Sequence, residues 1–228
     1  MLLVPRAIAG FDVAVSTRPR PSGGGDYHAV FAAPGGSSMA VAVGDVAGHD
    51  AHAAHLMHVA GRLLHRRLRQ PGSLASAMEG VNHALMPRLR GGRFMTLFLA
   101  VLEAERRSLR WVSAGQAPVL AYDPVADRFG EVPGHDIPLG IDPDWRYRQS
   151  EHRGWAVGAL LVVGTDGIWE TRDVTGAMYG RSRLLQCVHG ARQGSAAAIV
   201  GAVEADMDCF RNGRPPDDDA TLLVVKAV

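Results

Sequence analysis

The chain has only two cysteines among its 228 residues, Cys187 and Cys209, and no C-x-x-C spacing. That excludes a disulfide scaffold and a thiolate-ligated zinc, and leaves two buried thiols in a reducing compartment as the expectation. No apolar run approaches the roughly 20 residues of a membrane span, and the N-terminal stretch Met1-Leu-Leu-Val-Pro5 is too short for the apolar core of a signal peptide. A cytoplasmic protein with no membrane partner follows as the expectation. Excess charge of one sign is also missing: 24 Lys and Arg stand against 23 Asp and Glu, so no overall field draws the chain to nucleic acid. Neither G-x-G-x-x-G nor a P-loop occurs, and no repeat of fixed period suggests an array.

What is present is 47% hydrophobic content, enough for one substantial core, so the chain is read as a single domain over residues 1–228. Short apolar or alternating runs at Phe11 to Thr17, Tyr27 to Phe31 and Met39 to Val43 read as strands. A helix with an i, i+3, i+4 stripe follows from about His49 to Arg69. Its histidines, His55 and His58 among them, fill the solvent side with no carboxylate or cysteine beside them, and are read as a solvated face. Ser73 caps a second helix whose stripe runs from Leu74 to Leu89. Phe94 to Leu102, Ser108 to Ser113 and Pro118 to Tyr122 then read as a strand meander. Residues 123–144 are expected to be mostly loop and Trp145 to Gln149 a strand, followed by the apolar run Ala159 to Gly164. A helical region from Ser182 to Phe210, broken near Gly190 to Gly194, precedes a last strand ending at Val225. Helices and strands that come in separate groups favour α+β with antiparallel sheets over a βαβ arrangement.

Four acidic positions recur at strand ends: Asp26, Asp45, Asp166 and the cluster Asp217-Asp218-Asp219. Any one of them is at home as an ordinary turn residue. A converging set of carboxylates would repel itself without a cation, and oxygen ligands suit hard ions such as Mg²⁺ or Mn²⁺.

The flanking residues carry a resemblance. Gly24-Gly-Asp26-Tyr27, Val43-Gly-Asp45-Val-Ala-Gly48-His49, Phe94-Met-Thr96, Ser113-Ala-Gly115 with Pro118, Pro138-Leu-Gly-Ile141, Thr165-Asp-Gly-Ile168 with Glu170, and Asp218-Asp-Ala-Thr221 fall in one order. That ordered set resembles the SpoIIE-like (RsbU-like) bacterial protein serine/threonine phosphatases, a branch of the PPM or type 2C metal-dependent phosphatases. The resemblance implies a four-layer α-β-β-α sandwich, two antiparallel sheets flanked by helix pairs. It implies two Mn²⁺ or Mg²⁺ ions, with Asp45 bridging them, Val46 offering its backbone carbonyl, Asp166 and Asp218 completing one ion's shell, and Asp26 as the acidic residue of the neighbouring strand. Asp218 is preferred to Asp219 because it stands three residues before Thr221. Asp45 and Asp166 would carry catalysis, with water activated by the ions attacking a phosphoserine or phosphothreonine. The implied substrate is a phosphorylated protein, an anti-sigma-factor antagonist in a partner-switching pathway, and the implied assembly a monomer or homodimer.

Departures from the pattern are Gly48-His49-Asp50 where Gly-His-Gly is usual, Ala114-Gly115-Gln116 where Ala-Gly-His is usual, and Ala29 in place of an acidic residue. Asp50 is read as a helix cap. His49 is tempting as a general acid but is displaced from the histidine of the eukaryotic relatives. Two other readings compete: a pseudophosphatase that serves as a regulatory binding module, and a small-molecule phosphomonoesterase. Relatives often join sensory domains to the phosphatase part, so the chain is expected to be a stand-alone enzyme or the phosphatase part of a longer one.

Overall fold

The computed structural model describes residues 10–20, 24–32, 38–48, 50–89, 91–116 and 118–228. The start of the apolar N-terminus, the Pro34 to Ser37 part of the expected turn, and His49 lie outside the described residues. In chain order the elements are β1 (Phe11–Arg18), β2 (Asp26–Ala32), β3 (Ser38–Val46), α1 (Ala51–Leu68), α2 (Leu74–Leu85), β4 (Met95–Glu103), β5 (Ser108–Ala114), β6 (Val119–Asp123), β7 (Arg128–Glu131), β8 (His135–Asp136), β9 (Ser150–Arg153), β10 (Leu160–Gly164), α3 (Asp166–Trp169), α4 (Gly180–Ala191), α5 (Ala196–Arg211) and β11 (Ala220–Ala227). They divide between two compact units, one of residues 22–117 and 133–155, the other of residues 1–21, 118–132 and 156–228.

The first unit is a sheet in the order β2-β3-β4-β5-β8, with β9 also paired to β5, and a helix pair on one face. Helix α1 begins because the Asp50 carboxylate accepts the Ala53 N–H at 2.9 Å, and α2 because Ser73 Oγ accepts from Ser76 N. Pro71 lies between the two helices, where a continuous helix would be broken. Leu56, Val59, Ala60 and Leu64 of α1, with Met78, Val81 and Leu85 of α2, pack on Ala40, Ala42 and Val46 of β3, Leu97 and Leu99 of β4, and Val112 and Ala114 of β5. Each fully buried leucine there contributes roughly 1.5–3 kcal/mol. His55, His58 and His65 face solvent, as the sequence pattern predicts, and so does His52.

The second unit is a sheet in the order β1-β11-β10-β6-β7, with α4 and α5 packed on the face of Ala14, Leu120, Leu160, Val162, Leu222 and Val224. Helix α5 is capped by Ser195, which accepts from Ala198 N, while Asp12 of β1 accepts the Ala196 N–H at 2.7 Å. Its C-terminal Asn212 takes the left-handed conformation (φ 48°), the usual helix stop. The central strands β10 and β11 are buried at almost every position, which is why they read as unbroken apolar runs.

Residues 123–144 are mostly loop, as expected, and also carry the short strands β7 and β8; β7 is a mostly exposed edge strand, Arg-Phe-Gly-Glu, without the apolar alternation that would have flagged it. Two expectations, the strand at Trp145 to Gln149 and the burial of both thiols, are corrected. The strand expected at Trp145 to Gln149 is instead β9, at the polar stretch Ser150–Arg153, because Tyr147 and Trp145 are drawn against the α1/α2 core as non-strand chain. At the end of β10, Asp166 opens the short helix α3. The thiols are not both buried: Cys209 is exposed, off the buried face of α5, and Cys187 is half-buried at the margin of the α4 core face.

The Pro138-Leu-Gly-Ile141 motif has a structural explanation. Leu139 exchanges backbone hydrogen bonds with Met95 (3.0 and 2.8 Å), and the fully buried Asn82 of α2 accepts from Gly140 N at 2.8 Å and donates to the Asp142 carbonyl at 2.7 Å. Replacing Asn82→Leu removes the partner of both part-buried backbone groups, so we expect a loss of about 1–3 kcal/mol. A urea titration should show a lower midpoint at unchanged slope; an unmoved midpoint would show that the Asn82 bridge contributes nothing.

Candidate metal centre

The strands β2 and β3 pair with Asp26 opposite Asp45, and β3 and β4 pair with Asp45 opposite Thr96. Tyr27, Ala29 and Phe31 of β2 and Ala40, Ala42 and Val46 of β3 belong to the helix-packed face. By the two-residue period, Asp26, Asp45 and Thr96 therefore share the other face, at the end of the sheet where β3 finishes. The neighbouring Val46 N donates to Gly25 O at 3.2 Å, which makes Asp26–Asp45 the non-hydrogen-bonded kind of pair, with Cα atoms about 4.5 Å apart and side chains close. Two like charges so placed destabilise the ladder by roughly 0.2–1 kcal/mol in the absence of a counter-charge. Asp26 is only 9% exposed.

Oxygen crowds this end of the sheet. A Cβ on Gly25 would run into the Val46 carbonyl oxygen and would lie 2.8 Å from Asp45 Oδ1 and 3.0 Å from the Gly48 carbonyl oxygen. The Gly24-Gly25 run before Asp26 is thus needed for close approach: residue 25 must lack a side chain for β2 to reach β3 here. The donors gathered are carboxylate and carbonyl oxygens alone, a set that fits Mg²⁺ or Mn²⁺ and no soft metal. Next along the row, Thr96 Oγ1 donates to Gln116 Oε1 at 2.7 Å, and Ser113 Oγ donates to the Gln116 carbonyl at 2.8 Å. Gln116, where histidine is usual, is thus a buried hydrogen-bonding residue of the β5 end (3% exposed). Neither Gln116 nor Arg93, treated below, was singled out by sequence reasoning for a role; Thr96 was visible only as part of the Phe-Met-Thr run.

In the other unit, β10 and β11 are locked at their ends: Thr165 N donates to Thr221 O and Thr221 N to Thr165 Oγ1, both at 3.0 Å, with both threonines wholly buried. The residue after Thr165 and those before Ala220 are consequently neighbours. Gly167 lies so close to the Asp219 carbonyl that any Cβ there would overlap it. Burial of part of its carboxyl, and then the charges of Glu170 and Asp218, push Asp166 above the ordinary carboxylate range. Of the three consecutive aspartates, Asp217 is paired with Arg214 at 3.1 Å, and Asp219 is 4% exposed and accepts the Arg20 N–H at 2.8 Å. Asp218 is exposed, with Oδ1 receiving the Asp219 N–H. The structure thus brings Asp26, Asp45 and Val46 together in one unit, and Asp166 and Asp218 together in the other. Among the described residues, no three His, Cys, Asp or Glu side chains form one group able to hold a metal.

These geometries belong to a known architecture. The chain superimposes on the SiaA-PP2C domain of Pseudomonas aeruginosa with a TM-score of 0.82 at 21% identity, over 95% of this chain and 86% of that one. It matches the structure of RsbX in complex with magnesium with a TM-score of 0.73 at 16% identity, over 100% of both chains. The α+β fold is therefore that of the PPM phosphatases. Residues 35–228 match the family "Stage II sporulation protein E (SpoIIE)", and the chain belongs to that family. It is 23% identical over 213 residues to the phosphoserine phosphatase RsbU of Bacillus subtilis (strain 168), a match covering 93% of this chain and 62% of that protein.

Because the raised pKa of Asp166 means that its ionised form is disfavoured in the folded state, it costs stability above its folded pKa. The cost fades as pH falls toward the ordinary carboxylate range. More than a third of the residue is solvent-accessible, and screening holds the effect below about 1 kcal/mol. We expect Asp166→Asn, in EDTA at pH 7, to melt up to about 4 °C above the wild type, with the gap closing near pH 4. A variant that melts lower at pH 7 would contradict the electrostatic reading.

Proposed function

We propose that this chain is a metal-dependent protein serine/threonine phosphatase, a single PPM-type domain over residues 1–228. The observation that carries the proposal is the Asp26–Asp45 cross-strand pair, set beside the Val46 and Gly48 carbonyl oxygens where only glycine fits. Such a cluster is costly without a cation, and every donor is of the type that hard divalent ions take. Asp45, the Val46 carbonyl, Asp166 and Asp218 would be the residues that hold two Mn²⁺ or Mg²⁺ ions, with Asp26 as the acidic neighbour of Asp45. Magnesium in the RsbX structure supports that choice of ion. When bound, a pair of such ions supplies a water acidic enough to react at neutral pH and offsets the phosphoryl charge. The chain's own part is to hold Asp45 and Asp166 in fixed orientation.

The substrate class is phosphoserine or phosphothreonine in a protein, as the phosphoserine phosphatase activity in RsbU's name supports. The finer reading is a phosphorylated anti-sigma-factor antagonist in a partner-switching pathway, acted on in the cytoplasm by a monomer or homodimer. No described helix is long and apolar enough to cross a membrane.

The test is hydrolysis of a phosphoserine protein and of p-nitrophenyl phosphate with Mn²⁺ and with EDTA. We expect Mn²⁺-dependent turnover that Asp45→Asn and Asp166→Asn each lower by about 100-fold or more, the scale of losing a metal-positioning ligand. Turnover of neither substrate would overturn the enzyme reading, full activity in Asp45→Asn the assigned site, and turnover of the small ester alone the protein-phosphatase reading. The inactive Asp45→Asn chain then serves to trap the phosphorylated partner.

A further inference from the structure

The turn from β3 into α1 carries the departure Asp50, and a residue far along the chain answers it. Arg93 lies just before β4. Its Nη2 donates to Asp50 Oδ2 at 2.6 Å and its Nη1 to the Ala47 carbonyl at 3.1 Å. The other Asp50 oxygen caps Ala53 N at 2.9 Å. The guanidinium also covers Gly48, where a Cβ would run into Nη1. The Ala53 N–H first, and Arg93 second, hold the Asp50 carboxyl below its usual range, so it is ionised at neutral pH.

Other backbone ties of this turn are Val46 N to Gly25 O at 3.2 Å and Ala47 N to Phe94 O at 2.9 Å. The arginine therefore grips the turn on both sides of Gly48, from the strand end at Ala47 to the helix cap at Asp50, with its side chain 26% exposed. A planar guanidinium can hold a carbonyl and a carboxylate at once; an ammonium on a flexible stem holds them less rigidly.

We infer that the Asp50–Arg93 pair is a positioning device, which fixes the carbonyl end of β3 and the first turn of α1 as one rigid piece and so sets the geometry in which Asp45 and Val46 meet a divalent ion. Arg93 is a positioning residue that touches neither substrate nor ion. The inference rests on the metal reading above and adds to it a residue that acts through another.

Two measurements test it on the whole chain: Mn²⁺ titration calorimetry, and amide hydrogen exchange of the metal-free protein over the first turn of α1. Arg93→Ala should weaken Mn²⁺ binding by about tenfold, the lower end for loss of a residue that orients a ligand, and should speed exchange at Ala53 and Ala54. Arg93→Lys should recover part of both. In an Asp50→Gly background, Arg93→Ala should add less than about a threefold further loss, since contacting partners are not additive. Asp50→Asn keeps a cap but loses the ion pair, and provides a folded second variant if Arg93→Ala does not fold; we expect it to weaken Mn²⁺ binding by about threefold. Wild-type affinity and unchanged exchange in Arg93→Ala, or an undiminished loss in the Asp50→Gly background, would overturn the inference. A wild-type chain that binds no Mn²⁺ would overturn the metal reading instead, leaving the exchange data to decide the tether.

Discussion

Two carboxylates placed opposite each other on adjacent strands repel, and Asp26 and Asp45 are held in that relation by the ladder between β2 and β3. A sheet register is set by all of its residues together, and slipping by one would exchange the two faces of β3 and carry Ala40, Ala42 and Val46 away from the helices. The repulsion is therefore maintained by the rest of the unit: the apolar contacts of Ala40, Ala42 and Val46 with α1 and α2 hold β3 in the register that keeps the acids together. Such a pair costs local stability, which a cation bound there would offset.

The surroundings are built to keep that arrangement from relaxing. Gly25 lets β2 approach where any side chain would separate the strands. Thr96, Ser113 and Gln116 satisfy one another across β4 and β5, and Asn82 ties α2 to the backbone after Leu139. In the other unit, the reciprocal Thr165 and Thr221 bonds hold the end of β10 against the start of β11, so that Asp166 and Asp218 sense each other's charge. Of the three aspartates before β11, Arg214 pairs with Asp217 and Asp219 is buried against the Arg20 backbone, while Asp218 is exposed and accepts the Asp219 N–H.

Much of this was legible in the chain. The apolar runs at Met39 and Ala159, the caps Ser73 and Asp50, and the order of the Asp-containing motifs all carry local signals, because strand burial, helix capping and turn chemistry depend on residues within a few positions. The failures have a common cause. Strand β7 and strand β9 are polar edge segments, recruited by a neighbour and not by their own composition, while Trp145 and Tyr147 looked like strand residues and are instead pulled toward a core that sequence neighbours do not reveal.

By itself, the sequence determined which residues could ligate a hard cation, where the strands bearing them end, and that the chemistry is oxygen-based, since those properties belong to residue type and short-range pattern. Only the tertiary structure decided that Asp26 faces Asp45 in register, that Gly25 is there for its missing Cβ, that Asp217 pairs with Arg214 and Asp219 is buried while Asp218 is exposed, and that Arg93 answers Asp50 across more than forty positions. Such pairings depend on which strands lie side by side, and that is settled by burial summed over the whole unit, which no local stretch of the chain encodes.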